Sequence, residues 1–332
     1  MEAYISKETV DDLMRTVIEL IHSSGSRILT GKGWCTEVTG ILLELTNPLA
    51  RLSRTETRGK LFSPLGELCW YLAQSKQLDF IEYYIPPYKD SSEDGEIPGA
   101  YGPRLFDWNG IDQIANVNRG LKKNPNTRRA AIQLFDAADI DVKHKDVPCT
   151  CTLQFLLRDG KLNLIVYMRS NDAYLGLPHD IFCFTMLQEI MAREVSAQLG
   201  TYKHMVGSLH LYDKNREKAQ QFLNEGFQPT TLFMPPMPEA DPWPAIKSLL
   251  EAEKQIRTGQ PFDESRLAQL DPYWADLIRL LLVFRARNSD VSRMKELRQA
   301  MASDYFRTFI DIKIAERDSA NPNPAKKDSI RD

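Results

Sequence analysis

The sequence predicts an α+β protein, a mixed β-sheet with packed helices followed by a helical C-terminal extension. Three observations carry that prediction. Residues 148–180 alternate in polarity as a hairpin and then lead into a long apolar helical pattern. Up to residue 234, strand-like and helix-like runs are mixed without an internal repeat. From Pro235 onward the patterns are helical, with few strand signals. The expected division is therefore 1–234 as one domain, 235–317 as a helical addition packed on it, and 318–332 as a polar, disordered tail.

The chain has 332 residues, 42% hydrophobic and 26% charged, which suffices for one large core or two small ones. A net charge of -3 supplies no positive field to recruit nucleic acid, and no nucleic-acid partner is expected. No apolar run approaches the roughly 20 residues of a membrane span, and Met1-Glu2-Ala3 opens without a basic, apolar leader. Five cysteines, an odd count, point to reduced thiols and a cytoplasmic location. Cys149 and Cys151 are too close in sequence for an easy disulfide. No second cysteine pair follows to complete a metal site, and none is expected.

In chain order, residues 6–21 read as an amphipathic helix, with Val10, Leu13, Met14, Val17, Ile18 and Ile21 on one face. Thr9-x-x-Asp12 resembles a capping box at its start. Residues 23–33 read as a polar turn and 37–45 as a strand. A linker over 55–60 carries Arg58 and Lys60, and 64–74 is a helix holding Glu67, Trp70 and Tyr71. Residues 86–99 form a Pro- and Asp-rich loop that ends at Tyr101-Gly102-Pro103-Arg104. A helix over 111–123 stops at Asn124-Pro125, and Arg128-Arg129 leads into a strand over 130–135.

The hairpin pairs 152–158 with 161–169 through Asp159-Gly160, the dipeptide a type I′ turn prefers. Gly176-Leu177-Pro178 then reads as a turn before a helix over 181–199, closed by Gly200. A strand over 202–211, a helix over 213–224 and helical patterns at 244–257, 273–286 and 291–315 complete the chain. His179 reads as a cap or solvent residue, and Cys35, Cys69 and Cys183 as small buried hydrophobes. The stretch 148–180 thus carries a thiol (Cys149), a guanidinium beside a hydroxyl (Arg169-Ser170) and two carboxylates (Asp172 and Asp180). That combination marks an active site.

Three motifs in order, Pro148-Cys149-x4-Gln154-Phe155, Arg169-Ser170-x-Asp172-x3-Gly176-x-Pro178 and Gly207-x-x-His210-x-Tyr212, resemble the thymidylate synthase family. Glu67-Leu68-Cys69-Trp70-Tyr71-Leu72 and Asn126-Thr127-Arg128-Arg129 look like two further family motifs, and the likeness spans roughly residues 25–225. The resemblance implies a homodimer on a mixed sheet, with 5,10-methylenetetrahydrofolate as one-carbon donor and a pyrimidine nucleotide as acceptor. It implies Cys149 as nucleophile, and Arg169, Ser170 and the partner-donated pair Arg128-Arg129 on the phosphate. It further implies His210 and Tyr212 on the sugar, Glu67 in water and proton transfer, Asp172 at the pterin and Gln154 supporting the base.

The chemistry matches those residue types. C5 of a pyrimidine becomes nucleophilic only after a thiolate adds at C6, and Cys149 would need a positive neighbour such as Arg169 to ionise. Guanidinium forks suit a phosphate. The family's usual phosphate arginine near the N-terminus has no clean match, with Arg27 and Lys32 as candidates.

Asp180 stands where the family reads uracil with Asn. A carboxylic acid can donate to cytosine N3 and accept from its N4 amino group, whereas a carboxylate repels uracil O4. With Thr150 after the nucleophile and Ser208 in the third motif, the pattern is similar to the deoxycytidylate hydroxymethylase branch, in which water quenches the exocyclic methylene. The alternatives are a CMP hydroxymethylase, a divergent thymidylate synthase and a non-catalytic nucleotide- or RNA-binding homologue.

Overall fold

The computed structural model describes residues 3–141 and 143–320. The chain divides into two compact units, Met1–Pro244 and Ala245–Asp332. The first contains the sheet: β1 (Tyr4–Lys7), α1 (Val10–Ser24), β2 (Ser26–Thr30), β3 (Gly33–Leu45), α2 (Phe62–Leu72), α3 (Leu78–Tyr84), α4 (Tyr101–Phe106) and α5 (Gln113–Lys123). These are followed by β4 (Ala131–Gln133), α6 (Ala138–Asp141), β5 (Thr150–Arg158), β6 (Lys161–Asp172), α7 (Gly176–Glu194), β7 (Gln198–Tyr212) and α8 (Arg216–Asn224).

The strands form one seven-stranded mixed sheet in the order β1-β3-β7-β6-β5-β4, with β2 paired to β3 outside that path. Both parallel pairs, β1 with β3 and β6 with β7, are bridged by a helix, as a parallel connection requires. α7 is the longer of these crossovers. It buries Leu177, Ile181, Phe182, Phe184, Met186 and Ile190 with almost no polar face, the pattern of a helix enclosed on all sides. Each such side chain contributes about 1.5–3 kcal/mol of burial.

The hairpin forms at the expected turn: Asp159 and Gly160 have φ of 50° and 72°, the left-handed pair of a type I′ turn. Thr9 Oγ1 caps α1 by accepting from the Asp12 N–H at 3.1 Å.

Several boundaries differ from the sequence reading, each for a physical reason. The first helix begins at Val10 because Tyr4–Lys7 pairs parallel to β3, Tyr4 opposite Leu42. The polar stretch 23–33 is a strand and its hairpin turn, with Thr30 opposite Gly33. The helix beyond the active-site strand starts at Gly176, five residues early, since proline is tolerated in a first turn. It ends at Glu194, and left-handed Ser196 (φ 54°) breaks it. Gly200 does not close that helix. It lies in β7, where a Cβ would sit 2.5 Å from Asn163 Oδ1, so the glycine permits the close approach of β6.

The second unit holds most of α9 (Trp243–Arg257), then α10 (Pro272–Ala286), α11 (Val291–Gln299) and α12 (Asp304–Ala320). The pattern at 291–315 is two helices, because buried Asp276 accepts from the N–H groups of Ala302 and Ser303 and holds a turn between them. Of the tail expected to be disordered, residues 318–320 continue α12, and 321–332 lie outside the described residues.

One buried ion pair ties α7 to the loop after β3. Arg51 Nη2 lies 2.5 Å from Glu189 Oε2, both essentially without solvent access. Glu189 Oε1 accepts the Met237 N–H at 2.7 Å. Removing one member of a buried pair leaves an uncompensated charge. Glu189→Ala should therefore cost about 3–5 kcal/mol in denaturant unfolding, and a loss under 1 kcal/mol would show that the charge is compensated elsewhere.

Candidate active site

A cleft of about 810 Å³ opens at the ends of β6 and β7, within the size range of small-molecule sites. Cys149 enters it from the residue before β5. There the β5–β6 register slips between Thr150 and Thr152, so that Cys151 is extra. Such bulges re-aim side chains beside active sites. The Arg169 N–H donates to the Cys149 carbonyl at 2.8 Å, and Tyr101 accepts from Thr150 N and Oγ1 at 3.0 Å each. The nucleophile's flanks are thereby pinned on both sides.

Arg169 sits beside the thiol, Nη2 3.9 Å from Sγ, while donating to the carbonyls of Pro148 and Val147 at 2.9 Å each. Burial pushes the Cys149 thiol above its ordinary value, outweighing the Arg169 charge that favours the thiolate. Free Cys149 is therefore a thiol at neutral pH. Ser170 and Asp172 follow Arg169 into the same cleft. Asp172 Oδ1 accepts the N–H groups of Tyr174 and Leu175 at 2.8 Å each, which fixes its carboxylate at the start of α7.

Asp180 projects into the cleft from the first turns of α7 rather than capping it. Its Oδ2 accepts from Asn171 Nδ2 at 2.9 Å. Burial, reinforced by the charge of Glu67, holds the carboxyl well above the usual carboxylate range. The site therefore favours the protonated form of Asp180. Beneath it runs a buried polar line: Asn171 Nδ2 lies 3.3 Å from His204 Nε2, and His204 Nδ1 lies 2.6 Å from the Tyr202 hydroxyl. Desolvation pushes His204 down to about 3, so this line carries no charge into the core.

Glu67, on α2, is nearly buried and has three partners: Tyr88 at 2.7 Å and Tyr71 at 3.2 Å on Oε1, and His179 Nδ1 at 3.1 Å on Oε2. His210 and Tyr212 reach the cleft from the end of β7, in edge-to-face contact at 4.9 Å. Lys32 lines the cleft, whereas Arg27 is paired with Asp213 at 2.6 Å and does not.

The structure therefore brings Cys149, Glu67, Asp180, Arg169, Ser170, Asp172, His210 and Tyr212 into one cleft. Three expected residues are not among its lining. Gln154 lies mid-strand on β5 and donates to the Arg128 carbonyl at 3.0 Å, outside the cleft lining. Arg128 and Arg129 are exposed on the segment before β4. The sequence reading missed Asn171, inconspicuous inside the Arg-Ser-x-Asp motif, and His179. His179 is no solvent residue: its side chain is 16% exposed and bonded to Glu67 and Ser63. Only the early start of α7, invisible in the turn-like Gly176-Leu177-Pro178, reveals it.

The thiol's environment gives a direct test. Iodoacetamide labelling of Cys149, followed by peptide mass spectrometry, should be slow at pH 7 and keep rising beyond the ordinary thiol value of 9.0. A plateau below that value would mean that Arg169 outweighs burial.

The Thymidylate synthase family model matches residues 9–239. Its members are generally homodimers that use 5,10-methylenetetrahydrofolate to place a one-carbon unit on C5 of a pyrimidine nucleotide. Among the described residues no helix is long and apolar enough to cross a membrane. With most of its length matched and its thiol, guanidinium and carboxylates in one nucleotide-sized cleft, this chain belongs to the thymidylate synthase family.

Proposed function

We propose that this family member is a dCMP 5-hydroxymethylase, converting dCMP, methylenetetrahydrofolate and water to 5-hydroxymethyl-dCMP and tetrahydrofolate. The observation that carries the reading is the buried Asp180 carboxyl, biased towards its protonated form, in the cleft that holds Cys149. Cytosine N3 is a basic ring nitrogen, while uracil O4 is a weakly basic carbonyl oxygen. Cys149 first releases its thiol proton to solvent beside the Arg169 charge; as the thiolate adds at C6, charge moves towards N3, and a buried acid can hand its proton over there. The resulting carboxylate then faces two donors, N3–H and the N4 amino group. Were Asp180 ionised from the start, it would repel uracil O4. The ionised form excludes uracil, and the neutral form, which can pair with either base, gains the more basic acceptor from cytosine.

The other roles follow from position. Arg169, Ser170 and Lys32 take the phosphate, joined by Arg128 and Arg129 of a second subunit, whose exposed place in this chain suits donation across an interface. The sheet face that carries Tyr167 and Met205, opposite one another in register and 37% and 45% exposed, supports such a homodimer. His210 and Tyr212 bind the sugar hydroxyl. Retained Arg128 and Ser170 favour the deoxynucleotide over CMP.

The cleft fits a folate: Trp70, Tyr88 and Tyr101 give it an aromatic wall, with Trp70 and Tyr88 at 5.5 Å, and the Asp172 carboxylate is fixed at its edge for a pterin. The folate supplies the methylene carbon. Cys149 activates C5 to receive it, and the protein's remaining task is to admit water in place of hydride.

Asp180→Asn should move the ratio of kcat/KM for dCMP over dUMP towards dUMP by about 100-fold or more, since an amide matches N3–H and O4. An unchanged ratio, measured on both nucleotides with methylenetetrahydrofolate, would remove the basis of the assignment.

A further inference from the structure

The hydroxymethyl product needs a base to take a proton from the attacking water. The obvious candidates in the cleft are spent. Asp180, having passed its proton to cytosine N3, is held there by N3–H and the N4 amino group. Glu67 has Oε1 shared by two phenols and Oε2 held by His179. Cys149 is bound to C6 at that stage.

What remains is the imidazole that Glu67 holds. The carboxylate beside Nδ1 fixes that nitrogen as the protonated one and leaves the lone pair on Nε2. Nε2 is met by the Ser63 hydroxyl at 3.2 Å, and Ser63, His179 and Glu67 all line the cleft. Burial and the nearby Arg58 charge keep the ring neutral, offsetting the pull of Glu67. The hydroxyl–imidazole–carboxylate order is the one that activates a weak oxygen nucleophile wherever it occurs.

We propose that His179 is the general base for the water step, oriented by Glu67, with Ser63 as the second hydrogen-bond partner of the water. The inference rests on the hydroxymethylase reading above. In this step the water oxygen forms a bond to the exocyclic methylene carbon, and the methylene π pair moves into the ring. The water proton goes to His179 Nε2. The ring pair then restores the C5–C6 double bond and expels the Cys149 thiolate. No oxidant or reductant is consumed. The imidazolium proton returns to solvent as product leaves.

The test is the product partition of His179→Gln, in which the side-chain amide can still donate to Glu67 but cannot take a proton. Reactions with dCMP and methylenetetrahydrofolate would include a small exogenous thiol, which attacks the same methylene without needing a base. The expected result is a drop in hydroxymethyl product of about 100- to 1,000-fold. A 5-thioether product should replace it, and the calorimetric Kd for dCMP should stay within about twofold of wild type, the scale of a lost contact worth under 0.5 kcal/mol. Ser63→Ala should shift the partition the same way by about tenfold, the effect of one hydrogen bond.

Hydroxymethyl formation at the wild-type rate in His179→Gln would overturn the proposal. So would loss of both products with dCMP affinity retained, which would place His179 in an earlier step. If His179→Gln does not fold, an unshifted partition in Ser63→Ala overturns it. A methyl product from the wild-type enzyme would instead overturn the hydroxymethylase reading, a separate failure visible before any variant is made.

Discussion

The burial of the Asp180 carboxyl is the constraint on which the rest of the site depends. Inside the cleft the penalty for a bare charge is several kcal/mol, so burial biases the group towards its protonated form. Asn171 holds it without ionising it, and the uncharged His204–Tyr202 pair beneath supplies polarity without a counter-ion. A cation in that position would have turned the acid into a carboxylate. The core below the cleft thus decides what the cleft can read.

The fold sets the position of that acid. Asp180 lies near the start of α7, and α7 lies where the parallel β6–β7 crossover requires a helix. The Arg51–Glu189 pair fixes α7 farther along, where helix, loop and the 237 backbone meet. On the other side of the cleft, the slip in β5 turns Cys149 inward while Arg169 grips the preceding carbonyls. Nucleophile and acid, 31 positions apart in sequence, are held at the entry to β5 and on the crossover helix α7, so the sheet and its helix together set the relation between Cys149 and Asp180.

The local code was readable where one dipeptide or motif determines the answer. Asp159-Gly160 specified its turn, Thr9 its cap, and Cys149, Arg169, Ser170, Asp172 and Asp180 gathered in the cleft. What escaped was non-local. β1 exists only because β3 is there to pair with, and four residues of alternating pattern look the same as a helix start. Gly176-Leu177-Pro178 has turn composition, yet the buried wall of α7 outweighs it. That one shift converts His179 from an exposed cap into a cleft imidazole. Motif membership alone did not reveal that Gln154 lies outside the cleft lining, bonded to the Arg128 carbonyl.

Selection of cytosine by the buried Asp180, and water as the final reactant, are both read by one competition. The protein is incubated with methylenetetrahydrofolate and equimolar dCMP, CMP, dUMP and UMP, and mass spectrometry reads which nucleotide gains which group. The account predicts a hydroxymethyl group on dCMP with tetrahydrofolate released. A methyl group on dUMP with dihydrofolate released would contradict it, and the chain would be a thymidylate synthase that reads uracil with an aspartic acid.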